Sequence, residues 1–219
     1  MSVKLYGASV APLWDEARFA RLAADIWPAR QTKIARLRAD TAKRLSLGGA
    51  LLLRRALLDA GMWSDALTEG EHGKPCFADL PDFHFSLSHS GVHVLCAVGT
   101  RELGCDIEQD HAFDPALSRR FFHPAETQAL LDAPEDQRQD LFFRLWTCKE
   151  SYMKATGLGF ALPMSAFAVS LRDGEGTVRL ASGADSRRLR SFRWDNCWCA
   201  LCAEEDWDGQ LIGVDFSEA

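Results

Sequence analysis

Phe83-His84-Phe85-Ser86-Leu87-Ser88-His89-Ser90-Gly91-Val92-His93-Val94-Leu95-Cys96-Ala97-Val98 alternates apolar and polar residues as far as Ser88, turns at Ser90-Gly91 and returns as an apolar run. Alternation at period two marks a half-buried strand, and a Ser-Gly pair between two such runs marks a hairpin. Phe83–Ser88 and Val92–Val98 are therefore antiparallel neighbours. Gly99–Glu102 reads as a further turn and Leu103–Glu108 as a further short strand.

On the N-terminal side, Asp15–Trp27 and Gln31–Gly61 read as helices, the second broken near Gly48-Gly49 and stopped at Gly61. On the C-terminal side, Thr127–Leu131 and Leu141–Thr156 read as helices, with Gly157-Leu158-Gly159 closing the latter. Strands are expected at Phe167–Leu171, Thr177–Leu180, Ser191–Trp194 and Cys197–Ala203. Helices and antiparallel strands occur in both halves without strict βαβ alternation, which gives an α+β class.

With 219 residues, 47% of them hydrophobic, the chain can build a core without metals or disulfides. Its apolar runs fall far short of the roughly 20 residues needed to cross a bilayer, and no basic-then-apolar leader opens it. Seven scattered cysteines, an odd number, read as reduced thiols of a cytoplasmic protein. The net charge of -6 argues against nucleic acid as a partner. Yet between Pro28 and Arg55 stand eight basic residues (Arg30, Lys33, Arg36, Arg38, Lys43, Arg44, Arg54, Arg55) and one acid, Asp40. A local positive field on an acidic body suits a phosphate-bearing ligand or an acidic partner, or is a solvated helix face.

Common catalytic templates fail. Gly70-Glu71-His72-Gly73-Lys74-Pro75 has the Gly-Lys pair of a phosphate loop, but Pro75 stands where the hydroxyl is needed. Ser88 and His89, adjacent on a strand, point to opposite faces and make no hydrolase dyad. Cys197, Cys199 and Cys202 sit in a buried-strand context, so core packing is expected over metal ligation. Gly104-Cys105-Asp106-Ile107-Glu108 is more informative, because residues two apart on a strand share a face. Asp106 and Glu108 thus lie side by side, either as the polar face of a strand or as oxygen ligands for a hard divalent cation. In Trp146–Gly157, Glu150 and Lys154 are i, i+4 neighbours. They are either an exposed ion pair or a third metal ligand beside a phosphate-holding ammonium. Glu126, in Phe122-His123-Pro124-Ala125-Glu126, reads as a helix cap.

Taken in order, Gly73-Lys74-Pro75, Phe85 through Ser90, Gly104 through Glu108, Phe121 through Glu126 and Trp146 through Gly157 resemble the motif series of the 4′-phosphopantetheinyl transferases. The length resembles their long, surfactin-synthetase-activating class, and the likeness spans most of Leu45 to Pro163. Cys105, Cys148 and Ser151 depart from the usual residues while preserving volume.

The resemblance implies an α+β pseudo-dimer of two similar halves, 1–103 and 104–219, with the active site in the cleft between them. It implies transfer of the phosphopantetheine arm of coenzyme A to a serine of an apo acyl or peptidyl carrier protein, releasing adenosine 3′,5′-bisphosphate. Mg²⁺ is implied as the metal, with Mn²⁺ as a substitute, held by Asp106, Glu108 and Glu150. Glu150 and Lys154 are the implied catalytic residues, Lys154 meeting the phosphates. Lys74, Pro75, Ser88, His89, Arg30, Lys33 and Arg44 are the implied coenzyme A contacts. A cytoplasmic monomer without membrane or nucleic-acid partners is implied. The competing reading is a non-catalytic coenzyme A or carrier-protein binding module of the same fold.

Overall fold

The computed structural model describes residues 2–70, 72–112 and 114–218. Glu71, within the rejected phosphate-loop stretch, lies outside them. In chain order the elements begin with β1 (Val3–Ser9), a 3-10 turn (Ala11–Trp14), α1 (Glu16–Ala24), α2 (Pro28–Arg36) and α3 (Asp40–Asp59). There follow β2 (Leu67–Glu69), β3 (Pro75–Phe77), β4 (His84–Ser90), β5 (His93–Gly99) and β6 (Leu103–Gln109). After them come α4 (Pro115–Phe121), α5 (Pro124–Asp132), α6 (Glu135–Thr156), β7 (Phe167–Arg172), β8 (Glu175–Leu180), β9 (Gly183–Trp194), β10 (Cys197–Ala203) and β11 (Trp207–Gly213).

The chain divides into two compact units, Met1–Arg101 with Glu205–Ala219, and Glu102–Glu204. The first contains a four-stranded sheet in the order β11-β1-β5-β4. The expected hairpin is present, with β4 and β5 antiparallel and Ser90 opposite His93. Gly91 takes the left-handed φ of 59° that this two-residue turn demands. Helix α3 packs Leu47, Ala50, Leu51 and Leu57 into a core shared with Tyr6, Val94, Cys96 and Val98.

Two expectations for this unit are corrected. The helical stretch 31–61 is interrupted at 37–39, between α2 and α3, and runs unbroken through Gly48-Gly49. Gly48 serves close packing instead. A Cβ there would stand 2.7 Å from Val10 Cγ1 and 3.2 Å from Val94 Cγ2, so only glycine lets the helix lie so near the sheet. Residues from Glu205 on, assigned by sequence to the second half, belong with the first: β11 runs parallel to β1, and Val214 N–H donates to Gly7 O at 2.9 Å. Phe216 is buried there, against the position of Gly48.

The second unit is an antiparallel sheet in the order β6-β10-β9-β8-β7 with α6 laid across it. Cys148, Tyr152 and Ala155 of α6 share a core with Phe167, Val178, Leu189, Trp198 and Ala200. Gly157 closes α6 at φ 69°, as its sequence position requires. Cys197, Cys199 and Cys202 are fully buried, in line with the core reading. Each unit is a long helix on a largely antiparallel sheet, an α+β architecture.

Candidate active site

Strand β6 and helix α6 meet at Gly104. A Cβ there would lie 2.0 Å from Ser151 O and 2.5 Å from Ala155 N, so the missing side chain lets the two backbones touch. Because β6 pairs with β10 in unbroken register, Asp106 and Glu108 emerge on the same side as Gly104, the side turned to α6. Asp106 is buried, 3% exposed, and Glu108 is half-buried.

Lys154 Nζ stands 2.7 Å from Asp106 Oδ1. Burial disfavours the Lys154 ammonium, but Asp106, Cys105 and Glu150 together outweigh it and the pKa is raised. One helical turn earlier, the Glu150 carboxyl is held above its ordinary range, by burial first and then by the negative charge of Asp106, with Lys154 acting in the opposite sense. Sequence spacing left Glu150 and Lys154 as either a surface pair or a functional one. The structure brings both to Asp106. Among the described residues no group of three or more His, Cys, Asp or Glu side chains is close enough to enclose a metal ion.

A buried ion pair elsewhere on α6 was missed by sequence. Lys149 is fully buried and Glu126 is 3% exposed, yet Lys149 Nζ lies 2.7 Å from Glu126 Oε2 and 2.8 Å from Oε1. The ammonium also donates to Phe167 O at 2.7 Å. The same carboxylate accepts from Val169 N–H at 2.6 Å and from His123 N–H at 2.9 Å. Glu126 does cap α5, as expected, but it also ties α5, α6 and β7 together. The available signal was the apolar company of Lys149 on its helix, Leu145, Tyr152 and Met153, which leaves its charge no route to water.

The remaining expected contacts lie in the first unit. Lys74 and Pro75 follow the β2–β3 turn, where Gly73 takes φ 78° and Gly70 N–H donates to Lys74 O at 2.8 Å. On β4, Ser88 is buried and His89 exposed, on opposite faces as the sequence requires. Arg30 and Lys33 sit one turn apart on α2. Lys33 is exposed, whereas Arg30 is only 8% exposed, its Nε and Nη2 having no hydrogen-bond partner. Burial lowers the Arg30 pKa, with Glu69 opposing. Arg44, on α3, is 3% exposed and pairs with Glu16. The basic stretch is thus only partly the solvated face that charge counting allows.

The sequence model of the 4′-phosphopantetheinyl transferase superfamily matches residues 102–207, the stretch that carries β6 and α6. Over 225 residues, 99% of either chain, the protein is 32% identical to the 4′-phosphopantetheinyl transferase Sfp of Bacillus subtilis (strain 168). It is 44% identical over 140 residues to the 4′-phosphopantetheinyl transferase psf-1 of Bacillus pumilus, covering 63% of this chain and 60% of that one. It is 45% identical over 95 residues to the 4′-phosphopantetheinyl transferase HetI of Nostoc sp., covering 41% of this chain and 40% of that one. The chain belongs to the 4′-phosphopantetheinyl transferase superfamily. Within it, this is a phosphopantetheinyl transferase of the Sfp type.

Proposed function

We propose that the protein moves the phosphopantetheine arm of coenzyme A onto a serine hydroxyl of an apo acyl or peptidyl carrier protein. The serine oxygen forms a bond to the β-phosphorus, the bridging P–O bond breaks, and adenosine 3′,5′-bisphosphate leaves. The observation that carries this reading is the convergence of Lys154 and Glu150 on Asp106 where α6 crosses β6.

Negative charge grows on the phosphoryl oxygens and the leaving diphosphate oxygen in this reaction, so fixed positive groups supply most of the rate. Lys154 is the ammonium for that task, kept charged by Asp106. The serine proton goes to Glu150, whose carboxyl is made more basic by burial, or to a water that Glu150 orients. Asp106, Glu108 and Glu150 are the hard carboxylate donors that suit Mg²⁺, or Mn²⁺ in its place. Mg²⁺ commonly takes one or two carboxylates and fills its shell with water and phosphate oxygens, so a closed three-carboxylate cage is not required. When bound, the ion neutralises diphosphate charge.

Lys74, Pro75, Ser88, His89, Arg30, Lys33 and Arg44 are proposed to bind coenzyme A. A buried guanidinium with two unpartnered nitrogens, as at Arg30, is chemistry that a phosphate would satisfy. The exposed cations between Pro28 and Arg55 would steer an acidic helix of the carrier protein. Seven free cysteines suit a reducing cytoplasm, and the family resemblance supports a monomer. Among the described residues no helix is long and apolar enough to cross a membrane.

The test is intact-protein mass spectrometry of an apo carrier protein incubated with the enzyme, coenzyme A and Mg²⁺. A gain of one phosphopantetheine, abolished by EDTA, is expected. Coenzyme A binding without any gain on acyl or peptidyl carriers would overturn the reading in favour of a binding module.

A further inference from the structure

Arg44 and Glu16 form a pair of very unequal burial. The Arg44 side chain is 3% exposed and that of Glu16 is 79% exposed, yet the guanidinium Nη2 donates to Glu16 Oε1. Arg44 is otherwise held from below. Its Nη1 donates to Asp40 O at 3.2 Å, and its guanidinium carbon lies 4.1 Å from the Trp14 ring centre and 5.2 Å from that of Phe19. Its Nε is buried without a hydrogen-bond partner. The guanidinium is therefore fixed on its faces by aromatic rings and by a backbone carbonyl. One edge is closed by a carboxylate that stands in water on the first residue of α1, and a second carboxylate, Asp40 Oδ1, lies more distantly at 4.0 Å from Nη1.

An exposed carboxylate loses little solvation when it lets go, and its long side chain regains rotamer freedom. A buried guanidinium, by contrast, demands an anion. A phosphomonoester dianion offers that edge more charge than a carboxylate and suits the planar guanidinium fork. Coenzyme A has one such group, its ribose 3′-phosphate.

Resting on the proposed coenzyme A transfer, we propose that Glu16 is an exchangeable counter-ion. It occupies the anion seat of Arg44 in the resting protein and gives it up to the phosphomonoester of coenzyme A. Glu16 would then weaken substrate and product binding alike, which speeds release of adenosine 3′,5′-bisphosphate after each turnover. A carboxylate that merely positions Arg44 has the opposite sign, because its removal loosens the guanidinium and weakens binding.

The experiment is calorimetric titration of adenosine 3′,5′-bisphosphate into the full chain, paired with the KM for coenzyme A and for 3′-dephospho-coenzyme A. Glu16→Gln is expected to tighten the bisphosphate and lower the KM for coenzyme A by about five-fold, the size of a partly exposed ion pair. The KM for 3′-dephospho-coenzyme A is expected to stay unchanged. In Glu16→Gln/Arg44→Met the gain is expected to vanish. Unchanged or weaker bisphosphate binding by Glu16→Gln, in a protein whose wild type binds it, would overturn the counter-ion role alone. Wild-type protein that binds neither coenzyme A nor the bisphosphate would overturn the functional reading with it.

Discussion

Lys154 of α6 and Asp106 of β6 are joined at 2.7 Å across the place where helix and strand come closest. The pair holds a cation beside a second carboxylate, Glu150, one turn away. Its geometry makes the charge of Lys154 important beyond its modest worth as an ion pair.

Lys154→Met is expected to slow transfer by about 10²-fold or more, the usual loss when a fixed stabiliser of transition-state charge is removed. The helical circular-dichroism signal should be retained, because methionine keeps the length and apolar packing of the Lys154 stem while removing the charge. Asp106→Asn should give a comparable loss. Rates within three-fold of wild type in both variants, measured by holo carrier formation, would remove these residues from the chemistry.

The carboxylates were legible because strand periodicity alone puts Asp106 and Glu108 on one face. Which cation reaches them was not legible, since that depends on the register of α6 on β6, set by Gly104 through contacts almost 50 residues away in sequence. The same limit governs the fold. The β4–β5 hairpin is local and carries both its alternation and its turn glycine, so it could be read directly. Strand β1 shows no alternation because both of its faces are buried, and its partner β11 lies at the other end of the chain. Gly48 resembles a helix breaker until the sheet beneath it is known. The buried Lys149–Glu126 pair stayed hidden because a lysine beside a glutamate on a helix ordinarily faces water.

That pair makes a strong stability prediction. Lys149→Met leaves a carboxylate buried in place of an ion pair and is expected to cost about 3–5 kcal/mol. For a chain of this size that is a fall in Tm of roughly 10 °C. Lys149→Met/Glu126→Gln should recover part of the loss, since the uncompensated charge goes with the second substitution. Thermal unfolding of the three proteins checks this, and additive losses would contradict it.

Gly104→Ala probes the seam itself. The new methyl meets backbone atoms, Ser151 O and Ala155 N, which cannot turn aside as a side chain would. Overpacking of this kind costs about 1–3 kcal/mol. Because the helix must shift bodily, kcat should fall together with Tm. Cavity-forming changes on the far side of α6, such as Met153→Ala, should lower Tm with a much smaller effect on kcat.

The thiols should report on the native state through their pH dependence. Burial pushes the Cys148 thiol up to about 12 and the Cys197 thiol up to about 11, with the neighbouring Asp110 and Asp195 adding to the latter. Cys76 alone among the seven is not buried. Alkylation proceeds through the thiolate, so at pH 8 the raised groups stay protonated as well as shielded. Mass spectrometry after iodoacetamide should find one adduct on the folded protein, at Cys76, and seven in denaturant. Rapid multiple labelling without unfolding would show looser packing around the buried thiols than the structure has.

Arg30 separates stability from binding. Its guanidinium is 8% exposed with Nε and Nη2 unpartnered, and burial lowers its pKa, so the folded protein holds this charge at a cost that Glu69 only partly offsets. Arg30→Met keeps the side-chain length and removes the desolvated charge, so Tm should stay level or rise. If a phosphate of coenzyme A completes those nitrogens, the same variant gives up charge-assisted hydrogen bonds worth about 1.5–3 kcal/mol, or roughly 10- to 100-fold in affinity. A stabler protein with a raised KM for coenzyme A is the expected combination. A fall in Tm with KM unchanged would make Arg30 a structural cation and would take α2 out of the nucleotide site.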